Sequence, residues 1–385
     1  MRVMLRKLGG LAVSFPLLIV IAALCVASYF AITSATFLNE KLQDAPIAQI
    51  KYDIAGLIVF LVIALTPYKI FLRAAPWLYG AGVVLLVAVF IPHVGRKVYN
   101  AYSWIKVGPI GFEPTEFAKI AYILFLAWFL QVRERKIENF STVLMAFAFT
   151  AVPFLLILKQ PALGSAAVFF PVCFCMLFAA GVRLRYIVLP ILAVVGMVTL
   201  TFYWVHVWNK PIPLLKPFQQ DRVRNFFDPK LDPRGTGWQA DQSVIAIGSG
   251  GMDGKGLGQG TQTETALGYL PKTTSYNDLI FSVVGEIFGF RGGAALILCE
   301  GTVLLWCVWV AARARDKVGA LLAVGVMTML FTHIFVNIGM TIQLVPITGI
   351  PLPFISYGGT FVIACLAAMG LVQSVWVHRK NLERA

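Results

Sequence analysis

The sequence predicts an all-α polytopic membrane protein with about ten transmembrane helices and one large extracytoplasmic loop. Of its residues, 59% are hydrophobic and 13% are charged, which is more apolar surface than a water-soluble domain can bury. Several apolar runs reach the length of about 20 residues that a helix needs to span a bilayer. No stretch alternates apolar and polar residues in ten-residue units, as the strands of a transmembrane barrel would. We therefore expect one integral membrane domain over residues 1–385.

Ten spans follow from the apolar runs, taken in order along the chain. The first run follows Arg2, Arg6 and Lys7 and is similar to a signal peptide, but it is too long for one and lacks a small-residue cleavage site, so we expect a retained helix. The longest polar stretch, 209–277, is the predicted large loop. The ten predicted spans are 12–33, 53–70, 76–92, 116–132, 141–158, 164–181, 187–208, 279–312, 318–344 and 357–377.

The basic residues predict the orientation of the chain. Short segments on the side of the two termini carry half of the 32 Lys and Arg residues, the opposite short loops carry fewer, and cytoplasmic loops are the ones enriched in Lys and Arg. We therefore place both termini in the cytoplasm and the 209–277 loop outside. The basic residues assigned to the cytoplasmic side are Arg2, Arg6, Lys7, Lys69, Arg73, Arg133, Arg135, Lys136, Arg183, Arg185, Arg313, Arg315, Lys317, Arg379, Lys380 and Arg384.

The net charge of +14 is largely explained by this topology. The cytoplasmic charges sit in short loops, which argues against a nucleic-acid partner. The 209–277 loop carries further basic residues that the topology does not require, and a cationic outward surface suits an anionic lipid head group or a pyrophosphate. These residues are Lys210, Lys216, Arg222, Arg224, Lys230, Arg234, Lys255 and Lys272.

Cysteines and histidines give no sign of a disulfide or a zinc site. The six cysteines all fall in predicted spans and lack the spacing of metal ligands. The four histidines are scattered along the chain.

Charged residues inside the predicted spans are candidates for function, because a charge in the hydrocarbon is costly. Glu116 and Lys119 are spaced i,i+3, so they share one helix face and can pair. Pro114 just before them suits the first turn of a helix. The alternative to a functional role is a structural ion pair that fixes this helix against its neighbours.

Asp278 stands directly before the 279–312 run, which would be about 50 Å long as one helix and is too long for a single span. Glu286 and Glu300 lie inside this run, and its glycines predict a kink or a close helix contact. Two interpretations of Asp278 stay open. It is either an N-cap, since an apolar helix follows directly, or a catalytic carboxylate.

The glycine-rich stretch 248–260 does not fit a nucleotide-binding loop. A P-loop requires glycine where Ser249 stands, and Ser or Thr where Gly256 follows Lys255. We expect closely packed backbone near a ligand head group, a re-entrant loop or, as the alternative, a flexible loop.

The 346–360 stretch, which contains Tyr357, combines prolines and glycines with apolar residues at membrane depth. Such backbone is tolerated where it is buried in protein or lines a cavity, so we expect it to help form a site.

Five stretches, taken together, resemble the SEDS family of cell-wall polymerases over nearly the whole chain. NIGM followed by TGIPLPFISYGG, with the short N-terminus, is more similar to the elongation-type, RodA-like branch than to the division-type, FtsW-like branch. The matching stretches are WIKVGPIGFEPTEFAKIA, KPFQQDRVRNFFDPKLDPRGTGWQADQSVIAIGSGG, GKGLGQGTQ, LGYLPKTTSYNDLIFSVVGEIFGF and NIGMTIQLVPITGIPLPFISYGGT.

The resemblance implies a peptidoglycan glycosyltransferase that polymerises lipid II on the outer face of the bacterial cytoplasmic membrane. It implies that Asp278 is the essential acid, that Glu116 and Lys119 are the family's buried pair, and that Arg222 and Arg224 are its basic positions in the outer loop. It also implies two partners, a class B penicillin-binding protein that crosslinks the strands and a cell-elongation complex.

This chain departs from the family pattern near the candidate site. Tyr276 and Asn277 precede Asp278 where the family usually has His-Thr, and Ala162 in QPALG stands where the family often has an aspartate. Glu113 stands where glutamine is common, which adds an acid near the buried pair.

The chemistry of such a polymerase suggests roles for these residues. A carboxylate, here Asp278, would take the proton of the attacking hydroxyl. The pyrophosphate leaving group needs positive charge, from Arg222, Arg224 or Lys119 or from a divalent cation, Mg²⁺ or Mn²⁺. An α-linked donor and a β-linked product require one inverting displacement, which one base and no covalent nucleophile can perform. The full set of candidate substrate-binding residues is Arg222, Arg224, Lys119, Glu116, Tyr357 and Lys255.

Two rival functions remain at this point. A lipid II flippase, or another transporter of lipid-linked precursors, would also use many helices and buried charges. The sequence shows no internal repeat, however, and transport does not need a large outer loop. A scaffold that only recruits an enzyme is the second rival.

Overall fold

The computed structural model describes residues 15–379, apart from gaps at 38, 40–41, 93, 99–100, 108–109, 161, 209–234, 264–269 and 271–273. Helices dominate these residues. In chain order they are α1 (Phe15–Thr36), α2 (Ala45–Leu65), α3 (Tyr68–Ala88), α4 (Pro114–Val132), α5 (Phe140–Lys159), α6 (Leu163–Ala167), α7 (Phe169–Ala180), α8 (Arg185–Trp208), α9 (Thr236–Ser249), α10 (Ile280–Ala312), α11 (Lys317–Thr341) and α12 (Gly359–His378).

Nine helices in the described part of the chain are long and apolar enough to cross a membrane. Together α6 and α7 form one of them, Leu163–Ala180, whereas α8 contributes a shorter apolar stretch, Arg185–Met197. The predicted all-α polytopic class is therefore confirmed. Much of the predicted 209–277 loop lies outside the described residues, so its extent stays a prediction.

The predicted second and third spans, 53–70 and 76–92, begin eight residues too late. The structure has α2 from Ala45 and α3 from Tyr68. The boundary between them is Thr66-Pro67, where proline forces the preceding residue out of the helical region, and Thr66 has ψ 133°. Apolar runs alone misplace this boundary because they do not register the proline.

A small antiparallel sheet between α3 and α4 was not predicted. Its strands are β1 (Gly95–Val98), β2 (Ala101–Val107) and β3 (Ile110–Phe112), in the order β1-β2-β3. Aromatic and β-branched residues favour strands, and Ile105 pairs with Phe112 across β2 and β3. The sheet leads directly into the N-terminus of α4.

Three helices form the centre of the molecule. The buried share of the apolar window is 72% in α4, 72% in α11 and 89% in α12, whereas it is 22% in α3 and 28% in α2. Helix α11 packs against α4, α7, α10 and α12. The outer helices instead present large apolar side chains outward, which is the pattern expected of helices that face lipid.

Helix α10 is kinked at Gly289, as its glycines predicted. Gly289 has φ 64° and ψ −164°, a conformation that is open essentially to glycine. The kink breaks the helical hydrogen bonds that Phe290 and Arg291 would otherwise make one turn back.

The backbone of the glycine-rich stretch replaces these broken bonds. Its Lys255 and Gly256 N–H groups donate to the carbonyls of Glu286 and Ile287, at 3.0 Å each. In return, Phe290 N–H donates to the Gly251 carbonyl at 2.9 Å and Arg291 N–H to the Met252 carbonyl at 3.1 Å. The loop is thus inserted into the hydrogen-bond ladder of a membrane helix, which satisfies backbone groups that lipid could not. A flexible loop, the alternative interpretation, does not describe the 250–256 segment.

Candidate active site

Asp278 lies in a turn immediately before α10. Helix α10 begins at Ile280 with Leu279 as its N-cap, so the interpretation of Asp278 as the N-cap residue is wrong. The turn is closed by bonds from the Leu279 and Asn277 N–H groups to the Thr274 carbonyl, at 3.0 and 3.2 Å. Asp278 is half-buried, which leaves its carboxylate at the edge of the protein interior.

The 346–360 stretch forms a wall beside this turn, as the sequence predicted. The Tyr357 N–H donates to the Tyr276 carbonyl at 3.0 Å, and the Ser356 hydroxyl donates to the Asn277 carbonyl at 2.6 Å. A Cβ built on Gly349 would lie 3.3 Å from Asp278 Oδ2. The carboxylate therefore lies directly over the Gly349 backbone.

Asn337, from α11, forms hydrogen bonds to both the turn that contains Asp278 and the wall. Its Nδ2 donates to the Asp278 carbonyl at 2.9 Å and to the Ile350 carbonyl at 2.7 Å. The side chain is fully buried. Both the turn and the wall are thereby fixed to a central helix.

Glu116 and Lys119 pair as the i,i+3 spacing predicted. Lys119 Nζ donates to Glu116 Oε1 at 2.8 Å and Oε2 at 3.0 Å, and the side chains are only 5% and 2% exposed. Pro114 is in the first turn of α4, and Glu116 lies near its positive end. Desolvation of two charges is tolerable only because the partners neutralise each other.

His333, from α11, completes this buried network. Its Nε2 lies 2.9 Å from Lys119 Nζ, and its Nδ1 lies 3.2 Å from the Pro351 carbonyl. An ammonium group only donates, so Nε2 accepts and Nδ1–H donates to Pro351. A neutral imidazole therefore connects the buried ion pair to the wall of the site.

Glu113, directly before α4, shares the electrostatic environment of Asp278. The pKa of the Glu113 carboxyl is raised to about 8, first by burial and then by the negative charge of Glu116. The Lys119 ammonium lowers this pKa, and the Asp278 carboxylate raises it. The extra acid seen in the sequence is thus an electrostatic neighbour of both the pair and the candidate base.

Tyr357 lies between two other aromatic rings at the wall, in tilted and edge-to-face contacts. Its ring centroid lies 5.7 Å from that of Tyr276 and 6.4 Å from that of Tyr52. Burial, followed by the Tyr52 hydroxyl, raises the pKa of the Tyr357 hydroxyl. Its backbone N–H bonds to the carbonyl of Tyr276, two residues before Asp278. Its predicted role in substrate binding stays a prediction.

Lys255 is held in a network of its own. Its ammonium donates to Glu286 Oε1 at 2.7 Å, Ser249 Oγ at 2.6 Å and Thr261 Oγ1 at 2.5 Å. These three bonds use all three donors of a lysine. Its predicted contact with substrate stays a prediction, and the geometry gives it a structural partner in Glu286.

Glu286 is the centre of that second network. It is fully buried and also accepts from the Gln262 N–H at 2.8 Å and from Thr263 Oγ1 at 2.9 Å. Sequence reasoning noted Glu286 only as a charge inside a span. Its bonds fix the polar chain around 261–263 to the N-terminal part of α10.

An apolar groove runs between α9, α10 and α11. Its volume is about 680 Å³, and its lining includes Phe281, Gly285, Ile297 and Ile338. Phe281 follows Asp278 by three residues, so the groove includes the end of α10 that the candidate base precedes. Its dimensions and apolar lining suit a hydrocarbon chain.

Two predicted parts of the site are not seen in these contacts. Arg222 and Arg224 lie outside the described residues. Among the residues that are described, no group of three or more His, Cys, Asp or Glu side chains is arranged to hold a metal ion. The divalent cation stays a prediction.

His333 and Asn337 are the residues that sequence reasoning missed. Both are polar positions in an otherwise apolar run, spaced i,i+4, so they share one helix face. That spacing was the available signal. The spacing does not identify the groups that these side chains bind, because those groups lie in segments far apart along the chain.

Comparison with known proteins identifies the family. Residues 10–381 match the family model FTSW_RODA_SPOVE, described as cell cycle protein. The chain is 34% identical over 369 residues to the peptidoglycan glycosyltransferase MrdB of Escherichia coli K12, covering 96% of this chain and 95% of that protein. It is 38% identical over 296 residues to the stage V sporulation protein E of Bacillus subtilis 168, covering 76% and 75% of the two chains.

Solved structures agree with this assignment. A chain from a peptidoglycan synthase complex that coordinates polymerization and crosslinking matches with a TM-score of 0.76 and 29% identity, over 95% of this chain and 98% of that one. The rod shape determining protein RodA of Thermus thermophilus shares the fold, with a TM-score of 0.66 at 24% identity over 95% and 97% of the two chains. The predicted multi-pass membrane protein and peptidoglycan glycosyltransferase are both confirmed. This chain belongs to the FtsW, RodA and SpoVE family of cell cycle proteins.

Proposed function

We propose that this glycosyltransferase polymerises lipid II on the outer face of the bacterial cytoplasmic membrane, with Asp278 as the general base. One observation carries the proposal. A half-buried carboxylate just before a membrane helix has its backbone held by hydrogen bonds to Asn337 and Ser356, and an apolar groove along that helix includes Phe281, three residues further on. A substrate with a polar reacting end and a long lipid tail fits this combination.

The reaction is a single displacement. Asp278 takes the proton of the acceptor GlcNAc 4-hydroxyl while that oxygen forms a bond to C1 of the donor MurNAc. The C1–oxygen bond to the pyrophosphate breaks, and the electron pair leaves with the lipid pyrophosphate. Attack from the opposite face converts an α-linked donor into a β-linked strand, so one base is sufficient.

The positive charge for the leaving group is assigned to Arg222 and Arg224, with Lys119 and a divalent cation as the alternatives. The Lys119 ammonium is bound to the Glu116 carboxylate, so its charge is largely neutralised where it lies. Arginine binds phosphate oxygens through two parallel hydrogen bonds. This assignment predicts that the arginines affect reaction of the donor more than they affect folding.

The apolar groove beside α10 is assigned to the lipid tail. The groove starts near Phe281 and continues along the outer half of the helix to Ile297. Burying a hydrocarbon chain there provides binding energy that is independent of the reacting groups. The pyrophosphate would then be held at the membrane surface, close to Asp278.

The partner we propose is a class B penicillin-binding protein within a cell-elongation complex. Support comes from the similar solved chain, which is part of a peptidoglycan synthase complex. The elongation role is favoured by the NIGM and TGIPLPFISYGG stretches and by the likeness to MrdB. The orientation with both termini in the cytoplasm rests on the distribution of basic residues.

The test is polymerisation of purified lipid II by the purified protein, with and without its cognate transpeptidase and with and without Mg²⁺ or Mn²⁺. We expect glycan strands from the wild type and their loss in Asp278→Asn. Asp253→Asn is the matched control, because Asp253 is an exposed carboxylate paired with Arg291 and should leave the rate unchanged. Polymerisation by a folded Asp278→Asn protein would refute the assignment, and relocation of lipid II without strands would favour the flippase.

A further inference from the structure

Helix α11 presents two buried polar side chains toward the site, one helical turn apart. His333 bonds to the Pro351 carbonyl at 3.2 Å and Asn337 to the Ile350 carbonyl at 2.7 Å. Two consecutive carbonyls of the wall are therefore held by one helix face. His333 also contacts the Lys119 ammonium, and Asn337 also bonds to the backbone carbonyl of Asp278.

The orientation of the Asn337 amide is fixed by its partners. Both groups near Nδ2 are backbone carbonyls, which only accept, so the amide nitrogen must face them. Its oxygen, Oδ1, is buried and has no hydrogen-bond partner among the described atoms. A buried acceptor without a partner costs stability, so the benefit of the amide at this position comes from its two donated bonds.

The two bonds link the turn that contains Asp278 directly to the wall. Adjacent peptides of the turn are also bound to the wall, through Ser356 to the Asn277 carbonyl and through the Tyr357 N–H to the Tyr276 carbonyl. The peptide that follows Asp278 is the one held by Asn337, so the backbone from which the carboxylate side chain extends is fixed relative to Ile350 of the wall. The bonds of Asn337 therefore hold the position of the candidate base relative to the wall.

We propose that Asn337 is a positioning residue for the reaction, which sets the position of Asp278 relative to the wall by bridging the Asp278 and Ile350 carbonyls. The inference rests on the proposed role of Asp278 as the base. A general base must lie within hydrogen-bond reach of the proton that it removes. A misplacement of about 1 Å costs on the order of 100-fold in rate, so loss of the bridge reduces kcat while the groove that binds the tail stays intact.

The test uses two variants that keep the shape of the side chain. Asn337→Leu removes both donors, and Asn337→Asp replaces the amide nitrogen by oxygen. Thr150→Val is the matched control, because it removes a buried hydroxyl whose bonds, to Tyr122 at 2.6 Å and to the Ala146 carbonyl at 2.7 Å, lie within α4 and α5. For each protein we measure kcat and KM for lipid II in the polymerisation assay, together with thermal unfolding in detergent.

We expect both Asn337 variants to lose roughly 10- to 100-fold in kcat with KM within about twofold of the wild type. Thr150→Val is expected to unfold earlier but to keep its kcat. The inference is overturned if the Asn337 variants keep kcat, if KM rises in place of a fall in kcat, or if neither variant folds. Inactive Asp278→Asn beside fully active Asn337 variants would overturn only this inference, whereas active Asp278→Asn would overturn the proposed base itself.

Discussion

Replacing Lys255 separates a structural role from a role in substrate binding. Lys255→Met removes the ammonium group that bonds to Glu286, and Glu286→Gln removes the charge of its partner. The double variant contains neither charge. A double-mutant cycle on these two positions therefore measures the coupling of the pair.

The magnitude follows from the burial of Glu286. Its side chain is 0% exposed and that of Lys255 is 21% exposed. Breaking a buried pair costs about 3–5 kcal/mol, because a charge stays buried without its partner. Two donors, the Gln262 N–H and the Thr263 hydroxyl, still hold the carboxylate, and water can reach the exposed side of Lys255. We therefore expect the lower end, about 3 kcal/mol for Lys255→Met, with about 1–2 kcal/mol recovered in the double variant.

The assay combines equilibrium unfolding in detergent with lipid II polymerisation. A structural pair predicts a loss of stability in Lys255→Met, partial recovery in the double variant, and a KM for lipid II that recovers with it. Unchanged stability in Lys255→Met would refute the reasoning. A KM that stays high in a double variant of restored stability would instead make Lys255 a direct contact of the substrate.

Two further predictions concern the loop and the extra acid. Gly254→Ala should destabilise the protein by at least about 3 kcal/mol in thermal unfolding, because its Cβ would lie 2.1 Å from a carbonyl of α10. Gly256→Ala is the control, at a similar positive φ but with nothing within 4 Å of its Cβ, and it should cost about 1–2 kcal/mol. Equal losses of stability in the two variants would contradict close packing of Gly254 against α10. For Glu113, a folded pKa raised from 4.5 to about 8 means that wild-type stability falls as pH rises through this range. The free energy of unfolding of Glu113→Gln, relative to that of the wild type, should therefore increase from pH 5 to pH 9. Unfolding is measured for both proteins at both pH values, and an equal difference between them at pH 5 and pH 9 would contradict the raised pKa.

The membrane architecture could be predicted from the sequence because the bilayer imposes a length and a composition on each span. The pair of Glu116 and Lys119 could also be predicted, since i,i+3 geometry depends only on the helix that contains both. The small sheet before α4 and the start of α2 were missed, because short strands and a single proline boundary change the apolar pattern very little.

The site itself was predictable only in part. The role of Asp278 as a base stays a proposal, because its position before a helix fitted a cap as well as a base, and the observed start of α10 at Ile280 shows only that Leu279 is the cap residue. Asn337 bonds to a residue 59 positions away, and His333 to one 214 positions away. No local pattern encodes such contacts, because they depend on how the helices pack.

The insertion of the glycine-rich loop at Gly289 has a consequence for local unfolding. The amide protons of Lys255, Gly256, Phe290 and Arg291 all lie in bonds that cross between the loop and α10. Separation of the loop from the helix breaks all four bonds together. The loop and the N-terminal part of α10 therefore form one cooperative unit, whose four amides exchange with solvent deuterium in a single shared opening event.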